Sequence, residues 1–511
     1  MMERRRLAIG VGGAVVLVAA LDAYVVTTIL VTVLRDLKLP VDHLERITPV
    51  VTGFLLGYVA AMPLLGRLSD RLGRRGVIEA CLVVFAAGSV VTALAAAPHG
   101  VLVMTIGRAV QGMAGGALLP VTMALAGDLW EEKRRPVVLG AIGSAQELGS
   151  ALGPLYGAAL ASAASWRLIF WINVPVVVLA LVAVHFTVPN GRPAPADRPG
   201  IDVVGGVLLA AGLGLLVVGV YNPAPDESAL PSWGVPTLVA GAVVLALFVL
   251  WEIRARTRLL DLTGTRRGPL FATLGVSFLS GAALIVTLVD VQLVAQTLLD
   301  EDALGGALRL AWFLGALLVA AVLGGLVTAR IGERTPLVVG MAVAAGGYAL
   351  IANWPADMTA ASYGPLPRMA VDLVVTGLGL GLVIAPVSSA VLRTVPAAQF
   401  GIASAAVVVA RMMGMLLGIS ALTAWGLRRF HTLTAHLQPP LPLFMSKSEY
   451  NAALAVYTQK LQDALRTEYQ EIFWISAALC ALGAVVALAA PGRRAEVPAP
   501  RPSADQLLTG P

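Results

Sequence analysis

The sequence predicts an all-α membrane protein with fourteen transmembrane helices, arranged as two six-helix bundles plus two linker helices. The composition, a series of long apolar segments and an internal repeat carry this prediction. Of the 511 residues, 58% are hydrophobic and 13% are charged, whereas soluble domains carry about 25% charged residues. A chain with so few charges must face lipid over most of its length.

Fourteen apolar segments are long enough to cross a bilayer, because a helix needs about 20 apolar residues to span a hydrocarbon core about 30 Å thick. Short polar connections separate them. The segments lie near residues 7–34, 47–65, 77–96, 100–127, 137–162, 168–188, 201–220, 235–252, 269–296, 305–329, 336–353, 369–392, 401–427 and 471–490. An even number of spans places both termini on the same side of the membrane.

The basic residues indicate which side that is. Most of the 36 lysines and arginines fall in alternate connections, including the clusters at 67–75 and 133–135 and the stretch 254–267. Such an excess is typical of cytoplasmic connections, so we expect both termini in the cytoplasm. Because the arginines form short clusters between apolar stretches, we expect no nucleic-acid partner.

The composition also excludes several chemistries. None of the four lysines follows a glycine, so the chain has no phosphate-binding loop of the ATPase type. The cysteines, Cys81 and Cys480, lie in apolar stretches and are interpreted as packing residues. No two of the five histidines stand at a spacing typical of metal ligands. We therefore expect neither enzymatic activity nor a metal site.

A ten-residue pattern is repeated at the cytoplasmic ends of spans two and ten. Gly66–Arg75 and Gly325–Arg334 share Gly, Arg, Gly and Arg at equivalent positions, although Ala329 replaces Asp70. Secondary transporters are commonly built from two repeated halves with the substrate site between them. The predicted organisation is an N-terminal bundle at 1–190, two linker helices at 191–267, a C-terminal bundle at 268–491 with a periplasmic helical extension at about 428–470, and a cytoplasmic tail at 492–511.

Several stretches resemble motifs of the major facilitator superfamily. Gly66–Arg75 resembles its G-x-L-x-D-R-x-G-R-R/K loop signature. Leu21–Val26 resembles the first-helix L-D-x-T-V-V motif of the fourteen-span drug:proton antiporter branch, with Tyr24 in place of threonine. Arg108–Gly112 resembles R-x-x-Q-G, and Gly149–Gly157 resembles G-x-x-x-G-P-x-x-G. This resemblance covers essentially the whole chain and implies the major facilitator fold.

A narrower resemblance links the chain to the mycobacterial triacylglyceride transporters. It rests on Asp22, the stretch 146–157 and the long polar segment before the last span. It implies a lipid substrate, a periplasmic lipid-carrying lipoprotein as partner, an effect on drug efflux and a location in the bacterial inner membrane. The resemblance to the drug:proton antiporter branch implies that the proton gradient supplies the energy, and we expect no cofactor. Tyr24 and Thr27 depart from the antiporter motif, which leaves the substrate range open.

Four ionisable residues lie deep in the predicted spans, where a charge costs at least about 2.5–3.5 kcal/mol unless it has a partner, water or a function. They are Asp22, Arg108, Glu147 and Arg411, and we predict that they serve proton coupling or gating. For Asp22, a proton-exchanging carboxylate and a fixed ion pair with Arg108 are both open. For Glu147 the alternative is a helix–helix hydrogen bond, and Arg411 is predicted to pair with an acid across the two halves.

Other charges lie at the ends of the spans. Asp70 and Arg71 are predicted to latch the cytoplasmic ends of the two halves, and the alternative for Asp70 is a solvated loop acid. Arg428 and Arg429 are a candidate periplasmic latch, with snorkelling towards water as the alternative. Three further charges near the outer edge are expected to be solvated and without a role: Arg309, Asp290 and Asp372.

The antiporter-type glycine motif consists of Gly149, Gly153, Pro154 and Gly157. Its spacing places small residues on one stripe of span five, which favours close helix contact and a surface that slides or bends.

The segment before the last span has apolar residues at three- and four-residue steps from Tyr450 to Ile472. This period predicts an amphipathic helix that continues into span fourteen as a rod. A protruding rod could guide lipid or dock the lipoprotein, and the alternative is a helix lying on the outer leaflet. A second external segment, 353–368, contains Gly-Pro and is predicted to form a hairpin.

Together these features predict a proton-coupled secondary transporter. We expect it to export hydrophobic cargo by alternating access, with triacylglyceride moving from the inner membrane towards a periplasmic lipoprotein as the favoured reaction. Two alternatives stay open: a multidrug:proton antiporter for small amphiphiles, and a non-transporting membrane scaffold for a lipoprotein.

Overall fold

The computed structural model of the chain describes residues 2–39, 46–130, 135–190, 202–220, 231–255, 265–395, 400–440 and 446–492. Within these ranges the protein is almost entirely helical, and the sheet they contain is one short hairpin. The predicted cytoplasmic tail beyond residue 492 lies outside the described residues. The prediction of an all-α membrane protein is confirmed.

The helices follow the predicted spans closely. In the first part of the chain they are α1 (Met2–Val25), α2 (Leu30–Asp36), α3 (Thr48–Leu72), α4 (Arg74–Ala93), α5 (Gly100–Leu129), α6 (Arg135–Ala163), α7 (Trp166–Thr187), α8 (Val203–Val220) and α9 (Gly234–Arg254). In the second part they are α10 (Arg267–Thr297), α11 (Ala303–Ile331), α12 (Arg334–Ala352), α13 (Arg368–Leu392), α14 (Phe400–Thr434) and α15 (Lys447–Ala487).

Among the described residues, eleven helices are long and apolar enough to span a membrane. Shorter apolar helical stretches at Thr48–Met62 and Val204–Gly219 add to them. The chain is therefore a multi-pass membrane protein, and the full set of fourteen spans stays a prediction.

The first span is broken by a 3₁₀ turn, Val26–Thr28, between α1 and α2. The hydroxyl of Thr27 donates to the carbonyl of Tyr24 at 2.7 Å, and that of Thr28 donates to the carbonyl of Pro154 on α6 at 3.1 Å. Side chains and neighbouring helices that satisfy polar groups allow such a break inside a membrane.

The helix contacts repeat in the two parts of the chain. Helix α1 packs on α6, α3 on α5, and α4 on α5 and α7, and the same relations recur as α10 on α14, α11 on α13, and α12 on α13 and α15. The first set is called the N-terminal group (α1–α7) and the second the C-terminal group (α10–α15). The two groups meet through α3 with α14 and α6 with α11, while α8 and α9 pack as a pair.

The repeated ten-residue pattern forms the same turn twice. Gly73 between α3 and α4 has φ of 93°, and Gly332 between α11 and α12 has φ of 86°. Their N–H groups donate to the carbonyls of Ser69 and Thr328, which are also equivalent positions. A positive φ favours glycine because it has no Cβ, so the repeat in sequence is a repeat in structure.

Helix α15 is one continuous helix of 41 residues, and at 1.5 Å per residue it is about 60 Å long. It starts at a capping box, in which Ser446 and Glu449 bond to each other's main-chain N–H. A hairpin of β1 (Ser362–Tyr363) and β2 (Leu366–Pro367) lies after α12. The end of the bundle that carries the start of α15 is called the extension end, and the opposite end, with Gly73 and Gly332, the motif end.

Candidate functional site

Asp22 and Arg108 form a buried ion pair in the N-terminal group. Nη1 of Arg108 lies 2.5 Å from Oδ2 of Asp22, and each side chain is 1% exposed. Nη2 of Arg108 donates to the main-chain carbonyl of Asp22 at 3.1 Å. The guanidinium also lies 4.1 Å from the ring centre of Phe54. Charge, hydrogen bonds and an aromatic face thus hold this cation in the helix bundle.

Uncharged polar side chains complete a network around Asp22. Asn173 on α7 donates to Oδ1 of Asp22 at 2.7 Å, and Gln111 on α5 donates to Oδ2 at 3.3 Å. Both amides also donate to the hydroxyl of Ser89 on α4, at 3.3 and 2.8 Å. Three helices of the N-terminal group, α1, α5 and α7, therefore meet at one carboxylate, and α4 joins the network through Ser89.

Sequence reasoning had not identified Asn173 or Ser89, and it gave Gln111 no role beyond its motif. The sequence signal for these three residues is weak, since they are neutral polar groups inside apolar spans. Their meaning depends on which helix faces they share, and only packing reveals that.

The network has a clear chemical consequence for Asp22. Its carboxylate is neutralised by Arg108 and accepts from two amides, so taking up a proton requires Arg108 to change partners. Three other oxygens already accept from the guanidinium: the main-chain carbonyls of Asp22 and Ala23, at 3.1 and 3.5 Å from Nη2, and Oε1 of Gln111, at 3.3 Å from Nη1. The ion pair is present in this conformation, and proton exchange at Asp22 stays a prediction.

The glycine motif packs directly against the turn of α1 that carries Asp22. A Cβ on Gly149, Gly153 or Gly157 would lie 2.3, 2.6 and 2.6 Å from main-chain carbonyl oxygens of α1, those of Leu17, Leu21 and Val25. Such distances exclude any side chain. The motif therefore fixes the closeness of α1 and α6, and its predicted sliding role stays a prediction.

The broken part of the first span contacts the C-terminal group. The hydroxyl of Tyr24 donates to the sulfur of Met415 on α14 at 3.4 Å. Gln292 on α10 donates to the carbonyl of Thr28 at 3.3 Å, and Gln296 lies at 3.5 Å from the same oxygen. Tyr24, which departs from the antiporter motif, is thus a contact between the two groups.

The other two predicted coupling residues, Arg411 and Glu147, lie on α14 and α6. Arg411 is buried on α14, where its main-chain carbonyl lies against Gly281 of α10. The side chain of Glu147 lies outside the described residues. The proposed coupling roles of both residues stay predictions.

The predicted latch residues occupy both ends of the bundle. Nε of Arg429 donates to both carboxylate oxygens of Glu471 at 2.9 Å, which joins α14 to α15 within the C-terminal group. Arg428 beside it is exposed, and so is Arg71 near the end of α3. The side chain of Asp70 lies outside the described residues, so the latch roles stay predictions.

The expectation of solvation was wrong for two acids near the extension end. Asp290 is 9% exposed and Asp372 is 0% exposed. Asp372 accepts a hydrogen bond from Nε1 of Trp354 at 2.9 Å. Arg309 pairs with Glu301 at 2.8 Å. Counting depth along a helix missed the burial because Trp354 and α15 cover these positions from outside the spans.

A cavity of about 480 Å³ lies at the extension end between the two groups of helices. Its wall in the N-terminal group comes from α2 and α3, and its wall in the C-terminal group from α10, α14 and α15. Most of the lining is aliphatic or aromatic, for example Leu30, Ile47, Leu293, Ile419, Phe430 and Leu465. Its volume lies within the range of small-molecule sites, about 300–1,000 Å³.

Comparisons with known proteins agree with this fold. The profile described as Major Facilitator Superfamily matches residues 13–419. A triacylglyceride transporter of Mycobacterium tuberculosis is 49% identical over 502 residues, which cover 97% of this chain and 96% of that protein. A triacylglyceride transporter of Mycobacteroides abscessus is 52% identical over 435 residues, 84% of each chain. These likenesses confirm the resemblance inferred from the motifs.

Two solved structures resemble the fold. A bacterial homolog of the human lysosomal transporter Spinster, in an inward-facing and unoccupied conformation, has a TM-score of 0.61 at 14% identity, covering 95% of this chain and 98% of that one. The human organic anion transporter MFSD10 has a TM-score of 0.56 at 17% identity, covering 93% and 99%. At such low identity the likeness concerns the fold alone.

Proposed function

The chain belongs to the Major Facilitator Superfamily, and from that premise we propose that it is a proton-coupled secondary transporter that exports hydrophobic cargo by alternating access. Relatives of similar length are named triacylglyceride transporters, so triacylglyceride is the favoured cargo. The family and these relatives are transporters, and the chain is accordingly not an enzyme. The observation that carries the proposal is the largely apolar cavity between the two groups of helices at the extension end.

The proposed topology has fourteen spans in a bacterial inner membrane, with both termini in the cytoplasm and the extension end in the periplasm. Each predicted span coincides with a described helix, if α1 and α2 are taken as one broken span. The excess of basic residues on the side of the motif end supports this orientation.

The proposed coupling acts through the Asp22 network. A proton on Asp22 would remove the charge that holds Arg108 and would change the contacts of α1, where α6 packs on it through the glycine motif. Because the adjacent 3₁₀ turn contacts α10 and α14 through Tyr24 and Thr28, such a change would alter the relative stability of the inward and outward states. Glu147 and Arg411 are proposed to take part, and the proton gradient is the only energy source required.

The proposed partner is a periplasmic lipid-carrying lipoprotein that docks at the extension end. Support comes from the length of α15 and from exposed apolar side chains near its start, Leu454 and Val456. The hairpin region is fixed to the same helix, because Arg466 donates to the carbonyl of Ala356 at 3.4 Å and Gln470 to that of Trp354 at 3.3 Å. This joint surface would receive cargo from the cavity.

The test is transport in proteoliposomes, with labelled triacylglyceride and a cationic dye as separate cargoes, with and without a pH gradient. The proposal predicts lipid movement that depends on the gradient and that Asp22→Asn reduces at least tenfold. Dye movement without lipid movement would favour the multidrug antiporter. Movement of neither cargo, with retained binding of a lipoprotein, would favour the scaffold.

A second experiment addresses the extension. Deletion of residues 446–466 removes the first five turns of α15 and leaves the predicted last span intact. We expect lipid export to the lipoprotein to fall at least tenfold while dye efflux is unchanged. Unchanged lipid export would contradict a role of the extension in cargo transfer.

A further inference from the structure

Two acidic side chains outside the Asp22 network face the extension-end cavity from the C-terminal group. Asp290 lies on α10 and Glu468 on α15, and both line the cavity. They are 9% and 8% exposed. The carboxylate of Glu468 packs against Gly426 on α14. A Cβ added to Gly426 would lie only 2.5 Å from Oε1 of Glu468. Three helices therefore converge on this pair.

The pair lacks the partners that the other buried acids have. Among the residues that the structure describes, neither carboxylate has a hydrogen bond or an ion pair, although Asp22 has Arg108 and Asp372 has Trp354. The nearby cation Arg429 is occupied by Glu471. Both carboxylates are thus aimed into the cavity without compensation.

Other titratable groups lie around Asp290 and Glu468. They are Tyr348 on α12, Arg429 on α14, Tyr469 and Glu471 on α15, Asp300 after α10, and Arg35 on α2 at the opposite wall of the cavity. The charge of Asp290 acts on Glu468, and that of Glu471 adds to it. The surroundings on the C-terminal side therefore oppose a second negative charge.

Two neighbouring carboxylates in a nonpolar setting do not both ionise readily, because each charge repels the other and neither is well solvated. The usual outcome is that the two groups hold a single proton between them and titrate as one unit. A wide, hydrated cavity lessens the cost of the ionised form. A closed cavity would remove that water and leave the charge uncompensated.

We propose that Asp290 and Glu468 titrate as one unit that holds a single proton, and that they form a second proton-binding site, in the C-terminal group, whose occupation permits the extension end to close. After cargo has left, a proton enters from the extension-end cavity and neutralises the pair. The wall formed by α2 and α3 can then approach α10, α14 and α15. The proton leaves on the other side once the motif end has opened. The role in the transport cycle rests on the proposed function, whereas the proton binding does not.

Infrared spectroscopy of the purified full-length protein tests the proton binding. The wild type is expected to show a protonated-carboxyl band that disappears as the pH rises, and Asp290→Asn and Glu468→Gln should each remove it, because the single proton is held only when both acids are present. Asp463→Asn is the matched control: it lies on the same helix but is exposed and paired with Arg466, so its spectrum should keep the band. A band that survives in both single variants would overturn the proposal.

Distances between spin labels across the extension end test the closure. The double variant Asp290→Asn/Glu468→Gln imitates the neutral pair, so its extension end should be closed at every pH, whereas the wild type should close only as the pH falls. A double variant with the same pH response as the wild type would overturn the proposal.

Failure of this site and failure of the proposed function give different results. Gradient-driven lipid transport without any titrating carboxyl band would refute the second proton site alone. A band that both variants remove, together with absent lipid transport, would refute the proposed cargo and leave the site established.

Discussion

Asp22 and Arg108 constrain each other because both are fully enclosed by the N-terminal group. The network of Asn173, Gln111 and Ser89 satisfies the carboxylate, so the pair stabilises the bundle while both charges are present. Removing one charge of such a pair is costly, since the other stays buried without compensation. The structural and the coupling roles of Asp22 can be separated on this basis.

The single variant Asp22→Asn should lower the free energy of unfolding by about 3–5 kcal/mol, the usual cost of breaking a buried pair. The double variant Asp22→Asn/Arg108→Gln should recover most of this loss, because no isolated charge is left. Thermal unfolding in detergent measures both. If Asp22 carries the proton, gradient-dependent transport stays lost in the double variant, and its full recovery there would show that Asp22 is only structural.

The glycine motif offers a test with a control on the same helix. Gly153→Ala places a Cβ 2.6 Å from the carbonyl oxygen of Leu21, so α1 and α6 must separate. We expect a loss of about 1–3 kcal/mol, as for other overpacked sites. Gly143→Ala meets nothing within 4 Å and should be neutral or stabilise by about 0.5–1 kcal/mol. Equal melting temperatures for the two variants would contradict the close α1–α6 contact.

At the scale of residues, the sequence identified the charged members of the site and missed the rest. Asp22 and Arg108 stood out because charges in a span are rare and their depths agreed. Asn173 and Ser89 did not, because neutral polar residues cost less in a membrane. The burial of Asp290 could not be predicted, since it depends on where α15 crosses the end of the bundle.

At the scale of elements, the two copies of the ten-residue pattern form the same turn, but the residue after the glycine is basic in the first copy and acidic in the second. After Gly73, Arg74 pairs with Asp128 at the end of α5 at 2.9 Å. After Gly332, Glu333 pairs with Arg393 at the end of α13 and accepts from Ser389 at 3.0 Å. The second copy lacks the aspartate at Ala329, but it has its own acid one turn later, bonded to a different helix.

The two ion pairs should differ in strength. Glu333 is 3% exposed, whereas the side chain of Asp128 is 55% exposed. Glu333→Gln should therefore cost about 1.5–3 kcal/mol, as for hydrogen bonds to charged groups, and Asp128→Asn less than about 1 kcal/mol. Unfolding temperatures check this. The exchanged pair Glu333→Arg/Arg393→Glu should regain part of the loss, and no recovery would indicate that the local packing matters more than the pairing.

The start of α15 should respond to acid. The main-chain N–H and hydroxyl of Ser446 lower the pKa of Glu449 from its ordinary value of 4.5. A lowered pKa stabilises the folded helix end above about pH 4.5, and this contribution is lost as the pH falls through the lowered pKa. The main-chain amides of residues 447–450 should lose their protection from hydrogen exchange, relative to the intrinsic rate at each pH, only in acid for the wild type and already at neutral pH for Ser446→Ala. Equal exchange in both would argue against the capping box.

The helical elements themselves were predictable. Apolar length predicted segments that each overlap a described helix, and the period from Tyr450 to Ile472 predicted the continuous helix α15. The break at Val26–Thr28 was not predicted, because nothing in the composition of an apolar stretch marks a turn that a neighbouring helix stabilises. The hairpin of β1 and β2 was also predicted, from the Gly-Pro pair that lies between its two strands.

At the scale of the whole molecule, the repeated contacts of the two groups put their shared interface along α3 with α14 and α6 with α11. The cavity opens along this interface at the extension end. A triacylglyceride has three acyl chains and is larger than a cavity of about 480 Å³. Export of such a cargo therefore needs a wider separation of the two groups than in this conformation.

The most direct test of proton-driven alternating access is a distance measurement across the extension end. Spin labels at Leu94 in the N-terminal group and Leu366 in the hairpin suit it, because both side chains are more than half exposed, with Cys81 and Cys480 replaced by alanine. In liposomes, we predict a short and a long distance whose ratio shifts with pH in the wild type and shifts less in Asp22→Asn, in which only the pair of Asp290 and Glu468 still responds to pH. A single distance that is the same at every pH, in a protein that still moves lipid, would contradict the account.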